Sequence, residues 1–322
     1  MKSAWLFVFA SLLLLSACST QPSAQTNWVR DNTSLALRNG TNIVWQFNFD
    51  PKRGKPFFHP LTAAGGPSFT SFKPDDHPWH YGLWFSWKYI YPPDSADHIN
   101  YWEEDTNTGL AQGRTLWDPP SIQTTPNGAA TIRLQLRYVA PSRHVDMTES
   151  REIVVTAPQP DGSYQIHWNA HFVVGDRSLV LDRTPLLGEP HGQSNGGYGG
   201  ITLRLPGPPY TISMLSTAGP VTNFVSDRSR PNAAAVALNF LDGEKAVGGV
   251  ALIPEAPEGG PESPWYLVNN ATYRLACAAV LEPKPIHHAA GDQFDLNYAV
   301  TIRATPWTVQ DLQAAGGAVT QK

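Results

Sequence analysis

An all-β chain folded as one large antiparallel β-sandwich is what three features of the sequence predict. Prolines number 29 and glycines 26 while charged residues are only 16%, so turns are frequent and runs of helix formers are missing. Asn39-Gly40, Asp161-Gly162 and Asp242-Gly243 each sit between strand-like runs. These dipeptides accept the positive φ angles of two-residue hairpin turns. Alternation of period two then marks the strands themselves. Ile166, Trp168, Ala170, Phe172 and Val174 share one face of "YQIHWNAHFVV", and Phe294, Leu296, Tyr298, Val300 and Ile302 share one face of "QFDLNYAVTI". "TIRLQLRYV" and "GITLRL" repeat the pattern. A single short helix is expected near "TVQDLQAAGGAV" at the C-terminus. Without repeats, heptads or a long linker, one sandwich domain is predicted over residues 28–322.

The N-terminus predicts the compartment. Lys2 precedes the apolar run "WLFVFASLLLL", which is too short to span a bilayer stably and ends in "LSAC". This pattern reads as a bacterial lipoprotein signal over 1–17, with Cys18 the lipidated residue and 18–27 a tether. Ser19, where aspartate would signal retention, favours outer-membrane delivery. The expected location is therefore the cell envelope, with membrane contact through lipidated Cys18 alone. The net charge of -4 supplies no basic footprint, so nucleic acid is not an expected partner. Cys277 is the only other cysteine, which leaves no internal disulfide; it reads as a small buried apolar residue.

Chemistry concentrates in "FKPDDHPWHYGLWFSWKYIY", residues 72–91. Read as a strand entered through a turn, Leu83, Phe85, Trp87 and Tyr89 form a core face. The other face carries His80, Gly82, Trp84, Ser86 and Lys88. An aromatic plate among polar groups suits a sugar, whose C–H faces stack while its hydroxyls bond. Pro74 and Pro78 stiffen the approach, presenting Asp76 and His77 at the strand mouth. Histidine beside a carboxylate suits acid–base work near neutral pH. His77 and His80 are thus the acid/base candidates, with Asp76 orienting one of them. Trp84 is the candidate stacking platform, with Tyr81 beside it.

Neighbouring segments extend the set. "KPFFHPL" contributes His59, and "INYWEEDTNTG" contributes Trp102 and a glutamate pair in which Glu103 is the candidate second acid/base or hydroxyl ligand. One glutamate of the pair is expected inward and the other solvated. The glycine-rich "GEPHGQSNGGYGGITLR" lacks phosphate-loop spacing, and His191 and Asn195 are its candidate ligand contacts. His59, His77, His80 and a glutamate would also supply enough ligands for a divalent metal. On an extended strand, however, His77 and His80 would point to opposite faces, so no cofactor is expected.

The run of Phe58 to Leu61, Asp76 to Trp84, and Trp102 with Glu103 resembles the bacterial, mostly secreted "methane oxygenase PmoA-like" family. That label cannot describe an activity here, because membrane methane monooxygenase is built from long apolar helices and this chain has none after its signal. The resemblance implies a sandwich similar to the galactose-mutarotase-like supersandwich. The combined expectation is a lipid-anchored carbohydrate-active enzyme using proton transfer on a sugar or oligosaccharide, as lyase, dehydratase, hydrolase or epimerase. Two other classes compete with it: a non-catalytic glycan-binding surface lipoprotein, which needs the aromatics but not the histidines, and a structural lipoprotein whose aromatic cluster is core.

Overall fold

The computed structural model describes residues 26–255 and 262–319; the signal, Cys18 and the tether up to residue 25 lie outside them. Two ten-stranded antiparallel sheets pack face to face among these residues, with a four-stranded sheet beside them. The first sheet orders Thr26–Arg30, Ser34–Asn39, Asn42–Asn48, Phe57–Leu61 and Leu83–Ser86, then jumps along the chain to Gly200–Arg204, Arg274–Ala278, Ser263–Asn269 and Arg228–Ser229. The second is centred on Ala130–Val139, Val145–Val155, Tyr164–Val174, Gln293–Arg303 and Lys245–Pro254. The expected antiparallel β-sandwich is what the chain forms. Val309–Val319 is the one α-helix among the described residues, where the sequence places it. No helix among them is long and apolar enough to cross a membrane.

Period-two alternation builds the core. Ile166, Trp168, Ala170, Phe172 and Val174 are all buried against Trp45, Phe58, Leu83 and Phe85 of the facing sheet. Burying each large side chain contributes roughly 1.5–3 kcal/mol, so this interface dominates the driving force for folding. Gly40, Gly162 and Gly243 take φ of 60°, 82° and 60° at their turns, as those dipeptides require.

Two boundaries differ from expectation. The first strand takes up Thr26 and Asn27, assigned above to the tether, because they pair with Asn39 and Arg38. The aromatic stretch is also two strands rather than one. Leu83–Ser86 pairs into the first sheet, whereas Tyr89–Tyr91 joins the small sheet beside Leu179–Asp182. The break falls at Trp87 and Lys88, so Tyr89 is half-buried instead of belonging to the core face.

Gly82 makes the entry to Leu83–Ser86 possible. Its φ is 62°, and a Cβ there would stand 2.2 Å from the Phe58 carbonyl oxygen. Gly82→Ala is expected to lower stability by at least about 1–3 kcal/mol from the backbone alone, read as a drop in urea midpoint with unchanged m-value. A midpoint equal to that of the parent would refute this account.

Candidate active site

Alternation that turns Leu83, Phe85, Ile201 and Leu203 inward turns Trp84, Thr202 and Arg204 outward. The outer face of the first sheet is consequently apolar and aromatic over its centre, where Phe57, Trp84, Tyr266, Val268, Leu275 and Cys277 cluster. Segments 72–81, 100–104 and 195–198 cover it, and the candidate site lies between them and the sheet. Cys277 is sealed beneath, its thiol pushed up to about 11 by burial.

The first covering segment is a closed turn. Phe72 bridges to Tyr81, the Lys73 N–H donates to the His80 carbonyl (2.8 Å), and the His77 and His80 N–H groups donate to the Pro74 and His77 carbonyls (2.9 and 3.0 Å). Backbone that folds back does not alternate, which corrects the expectation that His77 and His80 face opposite ways. Their rings stack instead, with centroids 4.6 Å apart and planes 19° from parallel. Tyr273 stacks on His77 at 4.5 Å.

A chain of polar contacts runs into this stack from the sheet. Arg204 Nη2 donates to both Asp76 carboxylate oxygens at 2.8 Å, and Asp76 Oδ2 lies 3.0 Å from His77 Nδ1. The Arg204 guanidinium rests 4.5 Å from the Tyr273 ring centroid. Burial works against the Asp76 charge, but the hydrogen bonds from Arg204 and His77 outweigh it and hold its carboxyl below the ordinary range. His80 is different. Burial foremost, then the positive charges it would face at His77, Arg204 and Lys55, hold its pKa well below the usual histidine value. It is a neutral imidazole at working pH, with a buried Nδ1 that has no hydrogen-bond partner among the described residues.

His77 and His80 line a small cavity of about 60 Å³ that opens to solvent. Buried Trp102, Tyr266 and Leu275 line it together with half-buried Trp79, Asn195 and Arg228. Glu103 lines it too, held by Lys88 Nζ (2.7 Å), Asn100 Nδ2 (2.7 Å) and the Tyr198 hydroxyl (3.0 Å). Burial raises its carboxyl, but Lys88 and these donors outweigh that and lower it below the ordinary range. Glu104 is the inward member of the pair, 5% exposed against 38% for Glu103. It receives Lys55 at 3.2 Å and the Tyr81 hydroxyl at 2.8 Å, with Lys73 at 3.6 Å.

Several candidates fall elsewhere. Trp84 is fully enclosed, with His80 and Trp102 rings 5.1 and 5.5 Å away, so it has no free face for a ligand; Trp79, two residues before the turn closes at Tyr81, is half-buried and lines the cavity. Tyr81 is fully buried with its hydroxyl committed to Glu104. His191 is exposed at a left-handed turn (φ 59°) and does not line the cavity, whereas Asn195 and Tyr198 from the same loop do. His167 and His171 pair with Glu255 and Asp295 on the outer face of the other sheet. His59 lies in a separate groove of about 300 Å³ with Gln46, Asn48 and Phe72, its Nδ1 2.8 Å from Thr70 Oγ1. The three-histidine set is therefore not assembled, and no group of three or more potential ligands is disposed to hold a metal among the described residues.

Burial pushes His59 down to about 4 from 6.5. Between those values the unfolded chain binds a proton that the fold refuses. Its contribution is complete above pH 6.5 and is lost as pH falls through about 4, by up to about 3 kcal/mol. His59→Asn is expected to flatten the stability–pH curve over that window; a curve parallel to the parent's would overturn the assignment.

Fold and site together define an all-β sandwich with a histidine–carboxylate cleft on the outer face of one sheet. The chain belongs to the family described as "Family of unknown function (DUF6807)", which matches residues 34–316. This corrects the resemblance drawn from the sequence, since the matching family is this one and not the PmoA-like family. No curated protein matches the chain. Among solved structures it is similar to the α-galactosidase of Lactobacillus brevis (11% identity, TM-score 0.47), covering 87% of this chain and 40% of that one. It is also similar to a galactose mutarotase related enzyme from Lactobacillus acidophilus (9%, 0.43; 87% and 98% covered). A putative aldose 1-epimerase from Klebsiella pneumoniae is a third (8%, 0.42; 90% and 84%). The chain spans about two fifths of the length of the α-galactosidase.

Proposed function

We propose that the protein is a carbohydrate-active enzyme that moves a proton on a sugar or oligosaccharide, with His77 as the acid/base. The observation that carries this reading is the Arg204–Asp76–His77 chain ending in an aromatic-lined cavity. An ionised Asp76 fixes the His77 tautomer with Nδ1 toward the carboxylate, which leaves Nε2 to exchange a proton with substrate. Glu103, kept ionised by Lys88, accepts hydrogen bonds from sugar hydroxyls. His80 stays neutral under the stack and supplies a polar contact without adding a second positive charge. Trp79 offers the stacking face that the buried Trp84 cannot. Lipidation at Cys18, delivering the domain to the outer membrane, belongs to the same reading.

The test is to incubate the purified protein with a panel of oligosaccharides and follow products by mass spectrometry, with His77→Ala in parallel. Loss of water, gain of water or a change of stereochemistry at constant mass separates the reaction classes. Saccharide binding that Trp79→Ala abolishes and His77→Ala spares, with no product from any member of the panel, would replace the enzyme by a glycan-binding protein.

A further inference from the structure

Charge in the cavity is balanced at every point except one. Glu103 is paired with Lys88 and Asp76 with Arg204. Arg228, which also lines the cavity, has no carboxylate within ion-pair distance among the described residues. Its guanidinium is nevertheless fixed: Nε donates to the Tyr266 hydroxyl at 3.1 Å and Nη1 to the Ser226 carbonyl at 2.5 Å. Nη2 is left without a protein acceptor among the described residues. The preceding Ser226 and Asp227 both hold left-handed backbone, with φ of 49° and 65°, a conformation that costs energy for non-glycine residues and is retained where the surroundings demand it. Arg230, two residues on, donates through Nη2 to the carbonyls of Ser194 (2.9 Å) and Gly196 (2.7 Å). It thereby ties the segment carrying Asn195 to the strand carrying Arg228. A guanidinium held at two of its nitrogens with the third free, and an asparagine amide lining the same cavity, are groups suited to a planar anion.

We propose that the cavity selects an acidic sugar, a uronate-type residue whose carboxylate sits on Arg228 with Asn195 as second donor. This rests on the reading of the cavity as a saccharide site and narrows it to a charge class. Neutral sugars would leave the Arg228 charge uncompensated, whereas a uronate carboxylate meets it in a partly desolvated setting where charged hydrogen bonds are strongest.

The experiment is calorimetric titration of the full protein with galacturonate and glucuronate tetrasaccharides, matched neutral tetrasaccharides and a sulfated one. Uronates should bind on the order of 10–100-fold more tightly than the neutral ligands, with affinity falling as salt rises. Arg228→Gln should erase that preference, and Asn195→Ala should reduce it in part. The salt dependence is read on the parent protein, so the proposal stays testable if Arg228→Gln folds poorly. Neutral sugars bound as tightly as uronates, or a preference that survives Arg228→Gln, would overturn the proposal while the saccharide reading stands. A sulfated ligand bound as well as the uronates would overturn the carboxylate assignment. Binding of no saccharide by the parent protein would remove both readings.

Discussion

His77→Ala is expected to lower turnover of the preferred saccharide by about two to four orders of magnitude while the melting temperature stays within a few degrees of the parent's. Both halves follow from where the ring sits. Its Nδ1 is taken by Asp76, which Arg204 holds through both carboxylate oxygens, so the outward nitrogen is preoriented for proton exchange. The side chain is 30% exposed and part of a turn closed by backbone hydrogen bonds, so its removal opens no large core cavity. Asp76→Asn tests the orienting link separately: kcat should fall while KM holds, because the ring loses its tautomer and not its place. The Asp76 pKa lies below the ordinary carboxylate value of 3.8. Its contribution is therefore complete above that value and is lost only as pH falls through the lower folded one. Unchanged turnover in His77→Ala would end the proton-transfer proposal.

The second large effect concerns the core. Glu149 and Arg151 both point inward from Val145–Val155 and are almost wholly buried between the sheets. Arg151 Nε and Nη2 donate to the Glu149 carboxylate at 2.5 and 2.8 Å, and the Tyr138 hydroxyl donates to it at 2.6 Å. The guanidinium lies 4.5 Å from the centroid of Trp168. Removing one partner strands a charge where water cannot reach it, so Glu149→Leu or Arg151→Met alone should cost about 3–5 kcal/mol in urea unfolding. The double replacement should recover most of that loss, since two apolar side chains leave no unpaired charge. A double variant as unstable as the sum of the singles would show that the pair is not the source of the effect.

Much of the framework is legible in the chain. Strands of period two, hairpin dipeptides and the terminal helix are local consequences of backbone geometry and side-chain branching, and no distant contact is needed to read them. The Asp76–His77 contact is legible for the same reason, since the residues are adjacent. Arg204, Arg228, Tyr266 and Tyr273 were not legible as site residues. They come to the site because Gly200–Arg204 pairs with Leu83–Ser86 and with Arg274–Ala278, which pairs in turn with Ser263–Asn269, the partner of Arg228–Ser229, and pairing between remote strands leaves no local signature. The error over Trp84 has a related cause: parity assigns a side chain to a face of the sheet but says nothing about what covers that face.

By itself, then, the sequence determined a β-rich sandwich, its turns, the inward faces of its strands, and a short segment dense in histidine and carboxylate. Tertiary structure alone decided that His77 and His80 stack, that His80 stays neutral, that Trp84 is sealed while Trp79 lines the cavity, and that His59 stands apart. The physical reason is range. Backbone dihedrals and side-chain alternation act over a few residues, whereas burial, desolvation and charge pairing depend on which distant segments the sheets bring together.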